Sequence, residues 1–468
     1  MATIERPGHD RPSGIEQAGI TRVPPSDRHH VRVIDNLTMW LSANLVLSTV
    51  ALGSLAIPVF HMGFWDSVLA IVLFNILGVL PVAFFATLGP KLGLRQMTIS
   101  RFSFGWTGAA IMAAFNVAAC IGWSAVNMVV GAQLVTALSH GHVPPWVGIL
   151  ILAAITTAVS LYGYTYVHRY ERYAWIPMAM IFVVIAAVAG PHVVVVPAPA
   201  LTIAEVASFI SFGGAIFGFA TVWSSYAADY NVNQPEDTPA ARVFLLTFIG
   251  VTAPCILLEV LGLALSTAFH GDGAGDMLAA AVRPLAAAGN AILALLALSL
   301  VANSIPNDYS LGLSVQVLGK SFARIKRALW TVLGAVVYVA IAIATAGHFN
   351  QTLENFLLIV AYWLGPWAAI LTLEHFVFRK GNYNAEDWNN RERLPVGWAA
   401  MASMALGLAG VYLGAAQSLF VGPLAKRLSP PYGIDIGFEL GIVAASAAYL
   451  ILRPMELKRD TSRAGEIQ

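Results

Sequence analysis

The chain has 468 residues, of which 58% are hydrophobic and 11% are charged. Soluble proteins carry about 25% charged residues, so this composition predicts an integral membrane protein. The net charge of +1 argues against nucleic acid as a partner. Both cysteines, Cys120 and Cys255, lie inside apolar runs, which gives no indication of a disulfide framework.

Twelve apolar segments along the chain approach or exceed the roughly 20 residues that a helix needs to cross a bilayer. A polar tail over 1–32 precedes them and has no apolar core, so it does not resemble a cleaved signal peptide. We group helices 1–5 as 33–196, helices 6–10 as 207–377 and helices 11–12 as 396–451, with a second polar tail over 452–468. The predicted spans are Val33–Phe60, Ser67–Leu88, Phe104–Leu138, Trp146–Tyr162, Trp175–Val196, Ala207–Tyr226, Val243–Phe269, Asn290–Leu318, Ala328–Ala346, Leu353–Val377, Val396–Leu419 and Ile434–Ile451.

The Lys and Arg residues predict the orientation of these spans, because the cytoplasmic loops of membrane proteins are enriched in both. With the N-terminus inside, all 26 Lys and Arg residues fall on the inner side except Arg283, Lys426 and Arg427. This asymmetry predicts cytoplasmic N- and C-termini. We therefore expect a multi-pass protein of the cell's inner (plasma) membrane.

Small and polar residues interrupt the first and the sixth predicted spans. Span 1 carries Trp40–Asn44 and then Ser48, and span 6 carries Gly213 and Gly214 before Trp223. Interruptions at matching positions of two halves indicate a transporter built from an inverted repeat, here five spans followed by five. Close packing of helices is the alternative explanation for the small residues.

Span 8 contains a polar stretch at 299–309. Asn303 and Asn307 stand four residues apart and therefore share one helical face. Pro306 has no N–H, which leaves the carbonyl of Ala302 without its helical partner. In hydrocarbon such groups need a neighbouring helix, trapped water or a ligand, so the stretch predicts a hydrogen-bonding patch at membrane depth. Asparagine bonds between packed helices are the alternative.

Span 3 repeats this spacing with Trp123 and Asn127. Trp123 lies near the middle of its span, where its indole N–H needs a partner. Aromatic planes combined with carboxamides and little net charge suit a flat, neutral heterocycle, because rings stack while amides match donor and acceptor edges. The residues of this kind are Trp123, Asn127, Phe219, Trp223, Asn303 and Asn307.

Four of the carboxylates within the predicted spans or beside their ends are considered as carriers, because intramembrane carboxylates mark ion or proton pathways by default. Glu259 and Asp308 are the deeper pair and the better candidates for a proton relay. Asp229 and Glu374 lie close to the inner interface, where a solvated or salt-bridged role fits equally well.

The chain shows no arrangement of residues typical of catalysis within the membrane, neither Ser/His/Asp nor Cys/His nor a Gly-rich phosphate loop. His140 and His142 flank a glycine in an outer loop, which is a weak basis for a metal site. We therefore predict neither an enzyme nor a resident metal or cofactor.

These residues resemble the purine–cytosine permease family, nucleobase:cation symporter family 1, and most of all its fungal-type, proton-coupled cytosine/purine branch. The resemblance runs from the N-terminal tail through span 12. Its most specific motifs are Ser225–Tyr230 at the end of span 6 and Asn303–Asn307 in span 8. The other segments that carry it are Gly14–Glu16, Val23–Pro24, Trp40–Asn44, Arg101–Gly105 and Gly122–Asn127.

The resemblance implies an all-α membrane protein with the five-plus-five inverted-repeat (LeuT-like) transporter fold, spans 1 and 6 being broken and two helices being added at the C-terminus. It implies a substrate between spans 1, 3, 6 and 8, with Trp123 stacked on a base and Asn127 bonded to its edge. The residues carried over as substrate-binding are Ser42 or Ser48, Trp123, Asn127, Phe219, Ala220, Trp223, Asn303, Pro306 and Asn307.

The expected coupling ion follows from a difference in span 8 between this sequence and the sodium-coupled members of the family. Sodium-coupled members carry Ser-Thr hydroxyls six and five residues before the first asparagine. Here those positions hold Ala297 and Leu298, which offer no oxygen to a hard cation. A proton is therefore expected rather than sodium, with Glu259, Asp308 and Asp229 as candidate carriers.

The predicted function is import of a nucleobase, cytosine and/or purines, by proton symport with alternating access. The resemblance leaves other flat heterocycles open, namely pyridoxine, thiamine, uracil, allantoin or a hydantoin. A receptor that binds a nucleobase without transporting it is a remote alternative, because the polar tails leave no room for a signalling domain. The expected partners are a small substrate and the lipid bilayer, and the sequence does not indicate an oligomeric state.

Overall fold

The computed structural model describes residues 19–28, 32–162, 164–271, 273–417, 420–428 and 433–466, with only the backbone described for 162, 164–172, 349–351 and 460–466. Most of the predicted N-terminal tail, including Gly14–Glu16, lies outside the described residues. Nearly all of the described chain is helical. Its only β-type pairing is a single bridge between Ala416 and Val421.

Eighteen α-helices follow one another in the described part of the chain, several of them joined by short 3-10 turns. They are α1 Asp35–Asn44, α2 Leu47–Gly53, α3 Phe64–Ala86, α4 Leu88–Leu92, α5 Gln96–Ile99, α6 Arg101–Leu138, α7 Pro145–Tyr162, α8 Tyr164–Ala189, α9 Ile203–Thr221, α10 Ala240–Ala268, α11 Ala274–Val282, α12 Ala287–Val317, α13 Lys320–Ala323, α14 Arg327–Thr345, α15 Phe349–Leu373, α16 Trp398–Gly414, α17 Pro423–Leu428 and α18 Gly437–Glu466.

Each predicted span overlaps an apolar helix. Within the described residues, nine helices are long and apolar enough to cross a membrane, and α1 with α2 forms a tenth candidate that is bent by 60°. The shorter apolar helices α7 and α16 lie where spans 4 and 11 are predicted. The count of twelve spans thus stays a prediction, while the helical architecture agrees with it.

The first span breaks between Asn44 and Leu47, where Val46 is extended. Side chains form hydrogen bonds with the backbone around the break. The Asn44 amide donates to the Trp40 carbonyl at 2.9 Å, and the Thr49 hydroxyl donates to the Asn44 carbonyl at 2.8 Å. Because hydrocarbon offers no water to unpaired backbone groups, these two bonds allow an irregular backbone at membrane depth.

The sixth span breaks as well. Helix α9 ends at Thr221 and continues as two 3-10 turns, Val222–Ser225 and Ala227–Tyr230, which are separated by Tyr226. Breaks in the first and sixth spans are what the family resemblance implies. The two irregular segments lie in the middle of the protein. There they present backbone groups and side chains that would be hidden in a continuous helix.

Nine of the described helices form two groups of mutually packed helices. The first group contains α1, α2, α3, α9 and α10, and the second group contains α6, α7, α12 and α14. Within the first group α2 lies very close to α10, since a Cβ atom added to Gly262 would come within 2.0 Å of the Val50 carbonyl oxygen. The irregular ends of α1 and α9 face the second group, and the candidate site lies at this boundary.

The C-terminal helices are anchored by an ion-pair network at the predicted inner end. Glu374 accepts from Arg453 at 2.6 Å, from Arg379 at 2.8 Å and from the Tyr449 hydroxyl at 2.8 Å. A buried carboxylate is tolerated when charged partners and hydrogen bonds satisfy it. Of the two roles left open for Glu374, the structure therefore supports the salt-bridged one.

Candidate functional site

A small cavity lies between the two helix groups, bounded by α6, α12 and the broken end of α9. The centre of a water molecule can occupy only about 10 Å³ of it, which is close to the space that one water needs. None of the described residues that line it is charged. They are Trp123, Phe219, Val222, Trp223, Tyr226, Asn303 and Asn307.

Asn303 connects the two groups through its carboxamide. Its oxygen accepts from the Asn127 amide at 2.7 Å, and its nitrogen donates to the carbonyl of Ala43 at the break of the first span. The Asn127 nitrogen also reaches the Ser304 hydroxyl at 3.0 Å. The Asn303 carboxamide thus satisfies the buried helix-end carbonyl of Ala43 and also orients the carboxamide of Asn127.

Asn307 makes the next link across the boundary, one helical turn along α12. Its side-chain oxygen accepts from the Tyr226 hydroxyl at 2.8 Å, and the Tyr230 hydroxyl donates to the Pro306 carbonyl at 3.1 Å. Helix α12 runs continuously through Pro306. The proline therefore does not break the helix, and the broken end of α9 is held against it by two tyrosines.

Trp223 is oriented by the other break. Its indole N–H donates to the Asn44 side-chain oxygen at 3.0 Å, an atom that the Cys255 thiol also approaches at 3.4 Å. The Trp223 ring lies edge-on to Trp40 and to Tyr226 at centroid distances of 5.3 and 5.5 Å. The two irregular segments therefore support one another beside the cavity.

Trp123 and Asn127 leave polar atoms unsatisfied inside the protein. The Trp123 indole N–H and the Asn127 side-chain oxygen are both buried without a hydrogen-bond partner. Phe219 and Phe356 cover the Trp123 ring edge-to-face, each at 5.2 Å. Buried polar groups are normally paired, so one free donor and one free acceptor beside aromatic rings indicate a ligand with a matching polar edge.

The structure brings most of the predicted site residues together. Trp123, Phe219, Trp223, Asn303 and Asn307 line the cavity, and Asn127 is hydrogen-bonded to one of them.

The remaining predicted residues lie behind this lining. Ala220 points towards Gly78 of α3, where an added Cβ would approach it at 2.8 Å, and Pro306 contributes its carbonyl to Tyr230. Ser42 and Ser48 are both buried, but neither is among the described lining residues.

Two lining residues, Val222 and Tyr226, were not predicted. Both belong to the irregular continuation of α9, where the 3.6-residue period no longer tells which side chains share a face. The motif Ser225–Tyr230 offered a signal for Tyr226, because it places a tyrosine directly after the break.

Comparisons with known proteins give the chain its relatives. A family model described as permease for cytosine/purines, uracil, thiamine, allantoin matches residues 22–432. A purine-cytosine permease of Emericella nidulans is 42% identical over 458 residues, covering 95% of this chain and 89% of the relative. The chain belongs to this permease family.

Two further relatives and one solved structure bear on the permease. A purine-cytosine permease of Saccharomyces cerevisiae is 39% identical, covering 95% of this chain and 86% of the relative. A vitamin B6 transporter of the same yeast is 28% identical, covering 95% of this chain and 88% of the relative. The nucleobase-cation-symport-1 family transporter Mhp1, solved in a closed conformation with bromovinylhydantoin bound, has a TM-score of 0.72 at 17% identity and 96% coverage of both chains.

These findings establish the class of protein. The permease is a multi-pass membrane transporter with the inverted-repeat, LeuT-like fold, which confirms the predicted family and fold. Its relatives are permeases, so it is not an enzyme. Among the described residues, no group of three His, Cys, Asp or Glu side chains could hold a metal ion.

The three candidate proton carriers have different surroundings. Asp308 and Glu259 lie in different helix groups, and each accepts side-chain hydrogen bonds from its own group. Asp308 accepts from Ser124 at 3.2 Å, from Tyr338 at 3.4 Å and from Ser160 at 3.5 Å, all of the second group. All of these partners therefore belong to the same helix group as Asp308 itself.

Glu259 has a simpler environment within the first group. One carboxyl oxygen accepts from the Asn75 amide of α3 at 2.6 Å, and the other is buried without a partner. Its partner again belongs to the same group as Glu259 itself.

Asp229 alone among the three bridges the two groups. Its carboxylate accepts from the Gln96 N–H at 2.7 Å and from the Ser310 hydroxyl of α12 at 2.9 Å. It lies beyond the membrane-spanning part of α9. Burial raises the pKa of the Asp229 carboxyl to about 6, while the Arg95 guanidinium and the bonds from Gln96 and Ser310 act in the opposite direction.

The structure does not support one part of the argument against sodium, which is the absence of a hydroxyl at Leu298. The Leu298 side chain is 47% exposed on the outer surface of the helices, so position 298 faces away from α1. A hydroxyl there would not meet a cation at the break of the first span. What remains near that break is the Ala43 carbonyl, which accepts from the Asn303 amide.

Proposed function

We propose that the permease imports a nucleobase, cytosine or a purine, by proton symport with alternating access. The observation that carries the proposal is an uncharged cavity of aromatic rings and carboxamides in a chain whose near full-length relatives are purine-cytosine permeases. We also propose a plasma-membrane location, with both termini in the cytoplasm; the distribution of Lys and Arg supports the orientation of the termini.

In this proposal the base stacks on Trp123 while Asn127, Asn303 and Asn307 bond its polar edge. The free Asn127 oxygen supplies an acceptor for this edge. The free Trp123 N–H lies in the plane of its ring, so it does not bond a base that is stacked on the ring face. The cavity holds no more than about one water, so the rings of Phe219 and Phe356 must turn away to admit a base. Binding then replaces ring–ring contacts by ring–base contacts.

Alternating access follows from the location of the site at a boundary. The hydrogen bonds that cross it include those of Asn303 to Ala43, Tyr226 to Asn307, Tyr230 to Pro306, and Ser310 to Asp229. Movement of one group against the other breaks some of these contacts and opens a path on one side. A substrate drives this change only to the extent that it binds the two conformations unequally.

We assign the proton to Asp229 because its hydrogen bonds hold the two groups together. Protonation removes the negative charge that faces Arg95 and weakens acceptance from Gln96 and Ser310. The neutral acid therefore favours separation at the predicted inner end. With a pKa near 6, the carboxyl is mainly neutral below that pH and mainly ionised above it.

The transported substrate is tested by uptake of labelled cytosine into cells that lack their own nucleobase permeases, with adenine, uracil and pyridoxine as competitors. We expect saturable uptake that adenine blocks, that a protonophore abolishes and that replacement of sodium leaves unchanged. Absence of cytosine uptake by a protein present at the cell surface would contradict the proposal and direct the assay to pyridoxine or a hydantoin.

The role of Asn303 is tested by Asn303→Ala, with Asn382→Ala in the exposed loop after α15 as the matched control. Loss of a carboxamide that bonds both substrate and helix end costs about 2 kcal/mol or more, so we expect uptake to fall at least about thirtyfold. Surface abundance is measured in parallel. Unchanged uptake kinetics in the Asn303 variant would contradict the site.

The proton assignment is tested with Asp229→Asn, which mimics the neutral acid, and with Glu259→Gln as the rival. Exchange of labelled for unlabelled substrate across vesicles separates movement from coupling. We expect Asp229→Asn to keep exchange, to lose accumulation against a gradient, and to lose the rise in wild-type exchange as the pH falls through about 6. The same pattern in Glu259→Gln alone would transfer the role to Glu259.

A further inference from the structure

A second, larger cleft lies at the end of the molecule that is predicted to face the cytoplasm. Its volume is about 730 Å³, and the described residues that line it include five cationic side chains and neither Asp nor Glu. The five are Arg101, Lys320, Arg324, Lys326 and Arg327. We propose that this basic cleft binds the phosphate group of an anionic phospholipid.

Two of the five cations are buried and form no ion pair within 4 Å in the described structure. Arg101 is 1% exposed and donates to the Trp388 carbonyl at 3.2 Å and to the Asn389 side-chain oxygen at 3.4 Å. Arg327 is 2% exposed, reaches the Ser160 carbonyl at 3.5 Å and interacts electrostatically with the buried Asp308 carboxylate. Buried charges are normally paired with an opposite charge, so an anion in the cleft would complete the charge of Arg101, while Asp308 balances part of the charge of Arg327.

Hydrogen-bonding capacity is also left over at these two residues. The Nε atoms of Arg101 and Arg327 are both buried without a partner in the described structure. A guanidinium group recognises phosphate through several N–H donors at once. The unused donors are thus of the kind that a phosphate oxygen accepts.

The other three cations lie on the short connection between α12 and α14, and all are exposed. This connection leads into the N-terminus of α14, which no side chain caps. The first N–H groups of a helix favour an anion, because they are unpaired and lie at the positive end of the helix dipole. Charge and backbone therefore act together at the same place.

The surroundings favour a lipid over a free phosphate compound. Phe322, Ile325 and Leu329 alternate with the cations along the same segment and are 39%, 36% and 51% exposed. Basic pockets between membrane helices on the cytoplasmic side bind lipid head groups. A phospholipid would place its phosphate on the cations and its acyl chains along these apolar side chains, whereas a soluble anion would leave them uncovered.

The basic cleft is separate from the substrate cavity, but it touches the same helices. Arg327 lies over the ring of Tyr309 on α12, at 4.6 Å from the ring centre. A phosphate held by Arg327 would therefore stabilise the second helix group. We expect the bound lipid to raise the thermal stability of the permease whatever substrate it carries.

The test uses the full chain in lipid nanodiscs of phosphatidylcholine, with or without phosphatidylglycerol. Native mass spectrometry counts retained phosphatidylglycerol, and the unfolding midpoint reports stability. The variant Lys320→Gln/Arg324→Gln removes two exposed cations of the cleft. The matched control Arg242→Gln/Lys380→Gln removes two exposed cations elsewhere on the predicted inner side.

We expect the wild type and the control to retain phosphatidylglycerol and to unfold at a higher temperature in its presence. The cleft variant should bind it roughly tenfold more weakly or worse, since each cation contributes about 1 kcal/mol. Equal loss in the control would overturn the proposal by showing a general charge effect. Equal stabilisation by soluble pyrophosphate in pure phosphatidylcholine would overturn the lipid as the ligand, and no binding of either would overturn the site.

Discussion

The break in the first membrane span is the constraint on which the rest of the structure depends. It leaves helix-end carbonyls at a depth where no bulk water can satisfy them. The Thr49 hydroxyl and the Asn303 carboxamide take up the carbonyls of Asn44 and Ala43. Since Asn303 belongs to α12, a carbonyl at the break in the first helix group accepts its hydrogen bond from the second group. The two groups therefore meet at this break.

This arrangement gives the Asn303 carboxamide two roles, one in the contact between the helix groups and one in lining the cavity. The carboxamide that stabilises the Ala43 carbonyl also lines the cavity and orients Asn127. In the proposed mechanism, a base that bonds Asn303 would alter a contact between the helix groups as it binds. Asp229 would act in the same way at the predicted inner end, where a proton rather than a substrate would change the contact with Ser310. Binding and movement would thereby be linked through ordinary hydrogen bonds.

Much of the architecture could be predicted because apolar windows and four-residue spacings report directly on helices and their faces. Five cavity-lining residues follow from such spacing and from motifs, including the Asn303–Asn307 pair. Val222 could not be predicted, because the regular helix ends at Thr221 and the backbone continues as a 3-10 turn. Tyr226 lies between the two 3-10 turns, and its only signal was the motif Ser225–Tyr230. Nor does sequence reveal which helix group surrounds a carboxylate, or that Arg101 and Arg327, counted as loop charges, are buried.

The most direct test of the central claim is protection of a cysteine placed in the cavity. Val222→Cys would be introduced after replacement of the buried native thiols of Cys120 and Cys255, with Asn382→Cys as the exposed control. The rate of alkylation by a membrane-permeant maleimide is then measured with and without cytosine. The account predicts that cytosine slows the reaction at position 222 and leaves position 382 unchanged. Equal rates at position 222, in a variant that still transports cytosine, would contradict it.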